Sequence, residues 1–167
     1  MDSLLPKDLV DRAREVIAAN LAIGRRIAVA ESCTGGLVSA ALTEIPGSSA
    51  VFEAGYITYS NDAKVSGIGV SSDVIDTFGA VSVATAWAMA KGALAKSGAD
   101  VAVAITGIAG PDGGSPSKPV GTVVFARAER DADEDNCTAD QKLFDTSDGR
   151  SGIRRQATLC ALDLLMP

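Results

Sequence analysis

Short apolar runs alternate along the chain with segments whose apolar residues recur every three or four positions. Leu5, Leu9, Val10, Ala13, Val16 and Ile17 keep helical spacing and predict an amphipathic helix over residues 4–21, stopped at Gly24. Residues 26–30 are a short apolar run, the pattern of a strand buried on both faces. A polar, glycine-bearing turn over 31–36 follows, then an apolar helix over 37–45 and a turn over 46–49. Residues 51–59 are rich in β-branched and aromatic side chains and predict a second strand. Ser60 and Asn61 can cap a short helix carrying Lys64. Ser71 to Asp73 can cap another, which runs through Phe78 and stops at Gly79. Next come a long helix over 82–97, a strand over 100–106, a glycine- and proline-rich loop over 107–119 and a strand over 120–128. An acidic loop over 129–136, an edge strand over 137–145 and a closing helix over 150–166 complete the pattern.

Strands and helices interleave without an internal repeat or a linker. The expectation is one domain over residues 1–167, an α/β fold of three-layer α/β/α sandwich type with a mixed, mostly parallel sheet. Ligands in such sheets sit outside the carboxyl ends of strands. Three polar, glycine-rich stretches fall at such ends: after Ala30, after Tyr59 and after Thr106.

Composition narrows the chemistry. With 47% hydrophobic and 22% charged residues the chain is of globular type, and 4% aromatics amid many Ala, Val and Gly suits closely packed layers. A net charge of −6 argues against nucleic acid as a partner but admits a small anionic ligand. Residues 1–7 lack a basic segment followed by an apolar one, and no apolar run approaches the roughly 18 residues of a membrane span. Cys33, Cys137 and Cys160 are scattered, as reduced thiols would be, so a cytoplasmic location without membrane contact is expected. The chain has no histidine. That removes Ser-His-Asp and Cys-His catalysis and the usual zinc sites, so no metal and no cofactor are expected.

Four stretches can carry chemistry, each with a plainer reading beside it. Ser32 sits past a buried strand at the mouth of a helix, where free N–H groups at Thr34, Gly35 and Gly36 could hold a phosphate or an oxyanion, with Gly107 as the alternative donor to an oxyanion. Ser32 or Thr34 could equally be an N-cap. Lys64, one turn into its helix, is the best remaining base for a serine if burial brings its pKa well below the usual 10.4 or so; otherwise it is a surface lysine. The loop from Thr106 and Gly107 to Lys118 is rich enough in glycine to cradle a phosphate, or is a plain connection. Arg150, Arg154 and Arg155 open the closing helix, against the dipole; phosphate recognition would explain Arg150, with Lys118 as second choice, and pairing of Arg150 with Asp145 or Asp148 is the alternative.

Taken together the motifs are specific. Ala30-Glu31-Ser32-Cys33-Thr34-Gly35-Gly36, Tyr59-Ser60-Asn61 with Lys64, Gly79-Ala80-Val81-Ser82, Ile105-Thr106-Gly107-Ile108-Ala109-Gly110-Pro111, Lys118-Pro119-Val120-Gly121-Thr122 and Gly149-Arg150 stand in the order of one family. Over about residues 4–165 the chain resembles the CinA C-terminal domain family. The resemblance implies nicotinamide-nucleotide amidase activity: nicotinamide mononucleotide and water give nicotinic acid mononucleotide and ammonia. It implies Ser32 as nucleophile, Lys64 as base with Tyr59 beside it, and Ser49, Thr106 and Arg150 as polar groups lining the site. It implies an α/β/α sandwich with a mixed sheet. It also implies that a chain of this length lacks the N-terminal domain of longer members and any pyrophosphatase activity linked to it. An acidic insert over 131–140 departs from the pattern, away from the motifs. The partner expected is thus a small nucleotide, and apolar outer helices leave room for a homo-oligomer. Two rival functions stand: a metal-dependent nucleotide phosphohydrolase, and a non-catalytic nucleotide-binding or regulatory module.

Overall fold

The computed structural model describes residues 3–133 and 137–167. Five strands form one sheet: β1 (Ile27–Glu31), β2 (Phe52–Ile57), β3 (Val101–Gly107), β4 (Thr122–Glu129) and β5 (Thr138–Leu143). Their order is β2-β1-β3-β4-β5. β1 pairs in parallel with β2 and β3, while β4 pairs antiparallel with β3 and β5, so β4 alone runs against the rest. The helices are α1 (Lys7–Ala22), α2 (Leu37–Thr43), α3 (Asn61–Ile68), α4 (Ser72–Phe78), α5 (Val83–Lys96) and α6 (Gly149–Leu164). A 3-10 turn at Ser48–Ala50 replaces the end of the expected simple turn. Pro6 precedes α1 and sets its start later than the apolar spacing suggests.

The two faces of the sheet carry different residues, because side chains alternate along a strand. Ile27, Val29, Val101, Val103, Ile105, Val123 and Phe125 build one core with α1, α2 and α6. Ala28, Ala30, Ala102, Ala104, Ala126 and Ala128 face the other way, against Met89, Ala90 and Ala93 of α5. An alanine surface brings α5 close. Crowding continues behind that helix, where a Cβ on Gly92 would lie 2.1 Å from the Ile68 carbonyl oxygen. Gly92→Ala is therefore expected to destabilise by about 1–3 kcal/mol, the usual cost of overpacking, read as an earlier denaturant midpoint.

The topology also places the site. The β1–α2–β2 connection steps outward, and the connection from β2 through α3, α4 and α5 to β3 steps back across β1. Right-handed crossovers in opposite directions cover opposite faces, so the chain leaves the carboxyl ends of β1 and β2 towards different layers. A crevice opens between them. Ser32 follows β1, and Lys64 follows β2. At the far edge, the acidic loop is described only to Asp133, and the rest of it, residues 134–136, lies outside the described residues. Among the described residues no helix is long and apolar enough to cross a membrane.

Candidate active site

The turn after β1 is organised by a buried carboxylate. The strand runs one residue further than its apolar pattern suggests and ends on Glu31, which is fully buried. Its Oε2 accepts from the Thr34 hydroxyl at 2.6 Å and from the N–H groups of Gly36 at 3.0 Å and Val38 at 3.2 Å. Its Oε1 accepts from the N–H and hydroxyl of Ser39 at 2.9 and 2.8 Å. A carboxylate beside a helix N-terminus is favoured both by the orphan amides and by the dipole. Gly36 takes φ +99°, a conformation that favours glycine. From the other side Arg154 of α6 donates to the Cys33 and Thr34 carbonyls at 3.1 and 3.0 Å. The turn carrying Ser32 is thus held from both directions.

Lys64 is 1% exposed, a fully interior ammonium or amine. Ser60 caps α3 by accepting from the Ala63 N–H at 3.0 Å, and the helix turns Lys64 inward. Its Nζ lies 2.8 Å from the Thr58 carbonyl, 3.3 Å from the Tyr59 carbonyl and 3.1 Å from Ser32 Oγ. No carboxylate pairs with it among the described residues. Burial without a counter-charge disfavours the ammonium, and the Lys64 pKa is lowered accordingly. Two carbonyls can take the two hydrogens of a neutral amine, which leaves its lone pair for the Ser32 hydroxyl proton.

These residues line a cleft of about 230 Å³. Ser32, Tyr59, Lys64, Thr106, Gly107 and Arg150 come together in it, with Cys33, Asn61, Ala80, Val81 and Ala109. Thr106 donates its hydroxyl hydrogen to the Ala80 carbonyl at 2.8 Å and ties β3 to the opposite wall. Arg150 donates to the Gly110 carbonyl at 2.6 Å and the Tyr59 hydroxyl at 2.8 Å; it pairs with neither Asp145 nor Asp148. Tyr59 is 59% exposed and stands at the mouth. The Cys33 thiol, 5% exposed, is pushed up to about 11 by burial, which keeps it a thiol beside Ser32.

Several expected site residues are not brought to the cleft. Thr34 is fully buried and spends its hydroxyl on Glu31, and the Gly36 N–H is spent there too. The Gly35 N–H donates to the Ser32 carbonyl at 3.0 Å. The mouth of α2 is thus filled by the protein's own anion, and Gly35 and Gly36 are not free to cradle another. Ser49 lies in the 3-10 turn that precedes β2, at the opposite end of the sheet in this chain. Lys118 donates to the Phe78 carbonyl at 3.2 Å and lines a neighbouring groove with Val83 and Trp87. Glu31 and Arg154 carry structural roles that motif reading missed. Their signals were an acid on the edge of a helix mouth and an arginine one turn after Arg150 on the same helix face.

The model of the CinA C-terminal domain matches residues 10–167. The nicotinamide-nucleotide amidohydrolase PncC of Pseudomonas putida is 48% identical over 141 residues, 84% of this chain and 84% of that protein. The protein of the same name from Enterobacter agglomerans is 47% identical over 156 residues, 93% of this chain and 92% of that one. The chain spans 34% of the CinA-like protein of Mycolicibacterium gilvum, at 51% identity over 149 residues. It spans 25% of the competence-damage inducible protein of Symbiobacterium thermophilum. The crystal structure of the competence/damage inducible protein CihA from Agrobacterium tumefaciens superposes with a TM-score of 0.92 at 47% identity, covering 98% of this chain and 97% of that one. The chain belongs to the CinA C-terminal domain family.

Proposed function

We propose that the protein is a nicotinamide-nucleotide amidase that works by Ser-Lys nucleophilic catalysis. The observation that carries the reading is the buried contact of 3.1 Å between Lys64 Nζ and Ser32 Oγ. Two relatives of similar length, both called nicotinamide-nucleotide amidohydrolase, support the substrate. Lys64, neutral, takes the Ser32 proton as Oγ attacks the carboxamide carbon. The pyridinium ring withdraws electrons and eases that attack. Collapse of the intermediate breaks the C–N bond, and the Lys64 ammonium protonates the departing nitrogen as ammonia. Water then hydrolyses the acyl-serine to the nicotinate product. The cleft is smaller than the roughly 300–1,000 Å³ of sites that enclose a whole ligand. It fits the pyridine carboxamide end, with ribose and phosphate towards the mouth, where Arg150 and Asn61 stand.

The metal-dependent alternative needs a cluster of donors. Among the described residues no three His, Cys, Asp or Glu side chains come together to hold an ion. The deciding experiment is ammonia release from nicotinamide mononucleotide, with nicotinamide riboside and nicotinamide as controls, before and after chelation. Release that persists after chelation supports the amidase. Release that needs added Mg²⁺ or Mn²⁺ refutes the mechanism, and tight binding without turnover favours the regulatory module.

Arg150 is the cation at the mouth, and a charge-assisted hydrogen bond to phosphate is worth about 1.5–3 kcal/mol. Arg150→Ala should raise KM for the nucleotide by roughly 10- to 100-fold and leave the riboside little changed. An equal loss on both would mean that Arg150 does not meet the phosphate.

A further inference from the structure

We infer that the oxyanion of the tetrahedral intermediate is held by the backbone N–H groups of Cys33 and Gly107, and not by the N-terminus of α2. The inference rests on the amidase reading above and names the electrostatic half of that site.

Most backbone donors around the nucleophile are already committed. The N–H of Ser32 itself donates to the Ile105 carbonyl at 2.9 Å. The N–H of Gly35 donates to the Ser32 carbonyl and that of Leu37 to Thr34 at 3.2 Å. Those of Gly36, Val38 and Ser39 meet Glu31. The N–H groups of Cys33 and Thr34 have no acceptor among the described residues. Thr34 is fully buried outside the cleft, whereas Cys33 lines it.

Gly107 follows from strand geometry. The Ile105 carbonyl meets Ser32, so residue 105 presents its backbone groups towards β1. The Ile108 N–H donates to Thr122 at 2.8 Å, so residue 108 presents its own towards β4. Alternation turns the Gly107 N–H towards the β1 side. The ladder with β1 has ended at Glu31, the Ser32 carbonyl is taken by Gly35, and the Gly107 N–H donates to no loop or turn carbonyl among the described residues. Its N–H therefore opens beside Ser32 in the cleft that both residues line. Glycine is required there: a Cβ would stand 2.8 Å from Val123 Cγ2 and 3.0 Å from the Thr122 oxygen. The backbone of β3 is pressed against β4 and held, as a preorganised donor must be.

The step balances on these groups. As the Oγ–C bond forms, the Ser32 proton passes to Lys64 and the carbonyl π pair moves onto the oxygen, which the two N–H groups receive. The pair returns as the C–N bond breaks, and the Lys64 proton leaves with ammonia.

The test replaces single backbone amides by esters in the full chain, so that one N–H becomes an oxygen while each side chain stays. Esters at residues 33 and 107 should each lower kcat for ammonia release about 100-fold or more, with KM and melting temperature little changed. An ester at residue 36, whose N–H serves Glu31, should keep most of its rate. Full activity of the esters at 33 and 107 would overturn the proposal. Should those esters not fold, the Ser32 adduct of pyridine-3-boronic acid decides. A boronate oxygen within hydrogen-bond reach of both N–H groups supports the assignment, and one that meets neither overturns it. An unmodified protein that releases no ammonia defeats the amidase reading and this assignment together. An active protein with active esters defeats only this assignment.

Discussion

Ser32→Ala is expected to fold as the parent does and to release ammonia at least about 10³-fold more slowly. The side chain is small, 8% exposed, and its only described side-chain partner is Lys64, so its loss leaves no large cavity. The turn around it is held by Glu31 and Arg154, neither of which uses the Ser32 hydroxyl. The competitor is the neighbouring thiol. Cys33 is buried and its pKa is raised, so it lacks the thiolate that nucleophilic attack requires. Cys33→Ala should therefore keep most of the rate. Steady-state ammonia release for the two variants settles the order. An inactive Cys33→Ala beside an active Ser32→Ala would reverse the assignment.

The second large effect belongs to Lys64. A base works only when unprotonated, and burial lowers the pKa of this lysine. The rate should thus be low where Lys64 is an ammonium and rise with pH through its depressed pKa, below the ordinary lysine range. Lys64→Met keeps the length and apolar stem but has no base, so its loss should approach that of Ser32→Ala. Lys64→Arg keeps the charge but does not give up its proton usefully, and should be nearly as inactive. A lysine that merely anchored the substrate phosphate would behave otherwise: the arginine variant would retain much of kcat and lose mainly in KM. Profiles of kcat and KM against pH for the two variants separate these roles. A largely active arginine variant would end the Ser-Lys mechanism and leave the amidase reading to stand on other chemistry.

The layered fold was legible because periodicity reports burial directly. The continuous apolar run at β1 and the Ala-rich α5 read correctly from spacing alone. Ser32, Lys64, Thr106, Gly107 and Arg150 were legible as motifs, and they share one cleft. What spacing cannot report is which partner consumes a donor. The mouth of α2 reads as an open anion site until Glu31, counted as a turn residue by its polarity, is found inside the strand with both oxygens occupied. Ser49 belongs to the site by resemblance alone, and the 3-10 turn that holds it lies at the opposite end of β2 from the cleft. Lys118 is near in sequence to the cleft loop but reaches Phe78 instead, because that loop folds back on itself between Ser115 and Lys118.

The alanine face of the sheet has a consequence for how such a protein can drift. α5 begins at Val83, just after Ala80 and Val81, which wall the cleft, and it rests on Ala28, Ala30, Ala102 and Ala104. The gap between sheet and helix is therefore set by methyl groups that never meet a ligand. A change of alanine to valine or serine in that layer would move α5 outward and carry the wall at Ala80 with it, while Ser32 stayed at the end of β1. The width of the cleft is heritable through residues remote from the chemistry, and selection for a bulkier or slimmer substrate can act on the interior before it touches a single reacting group.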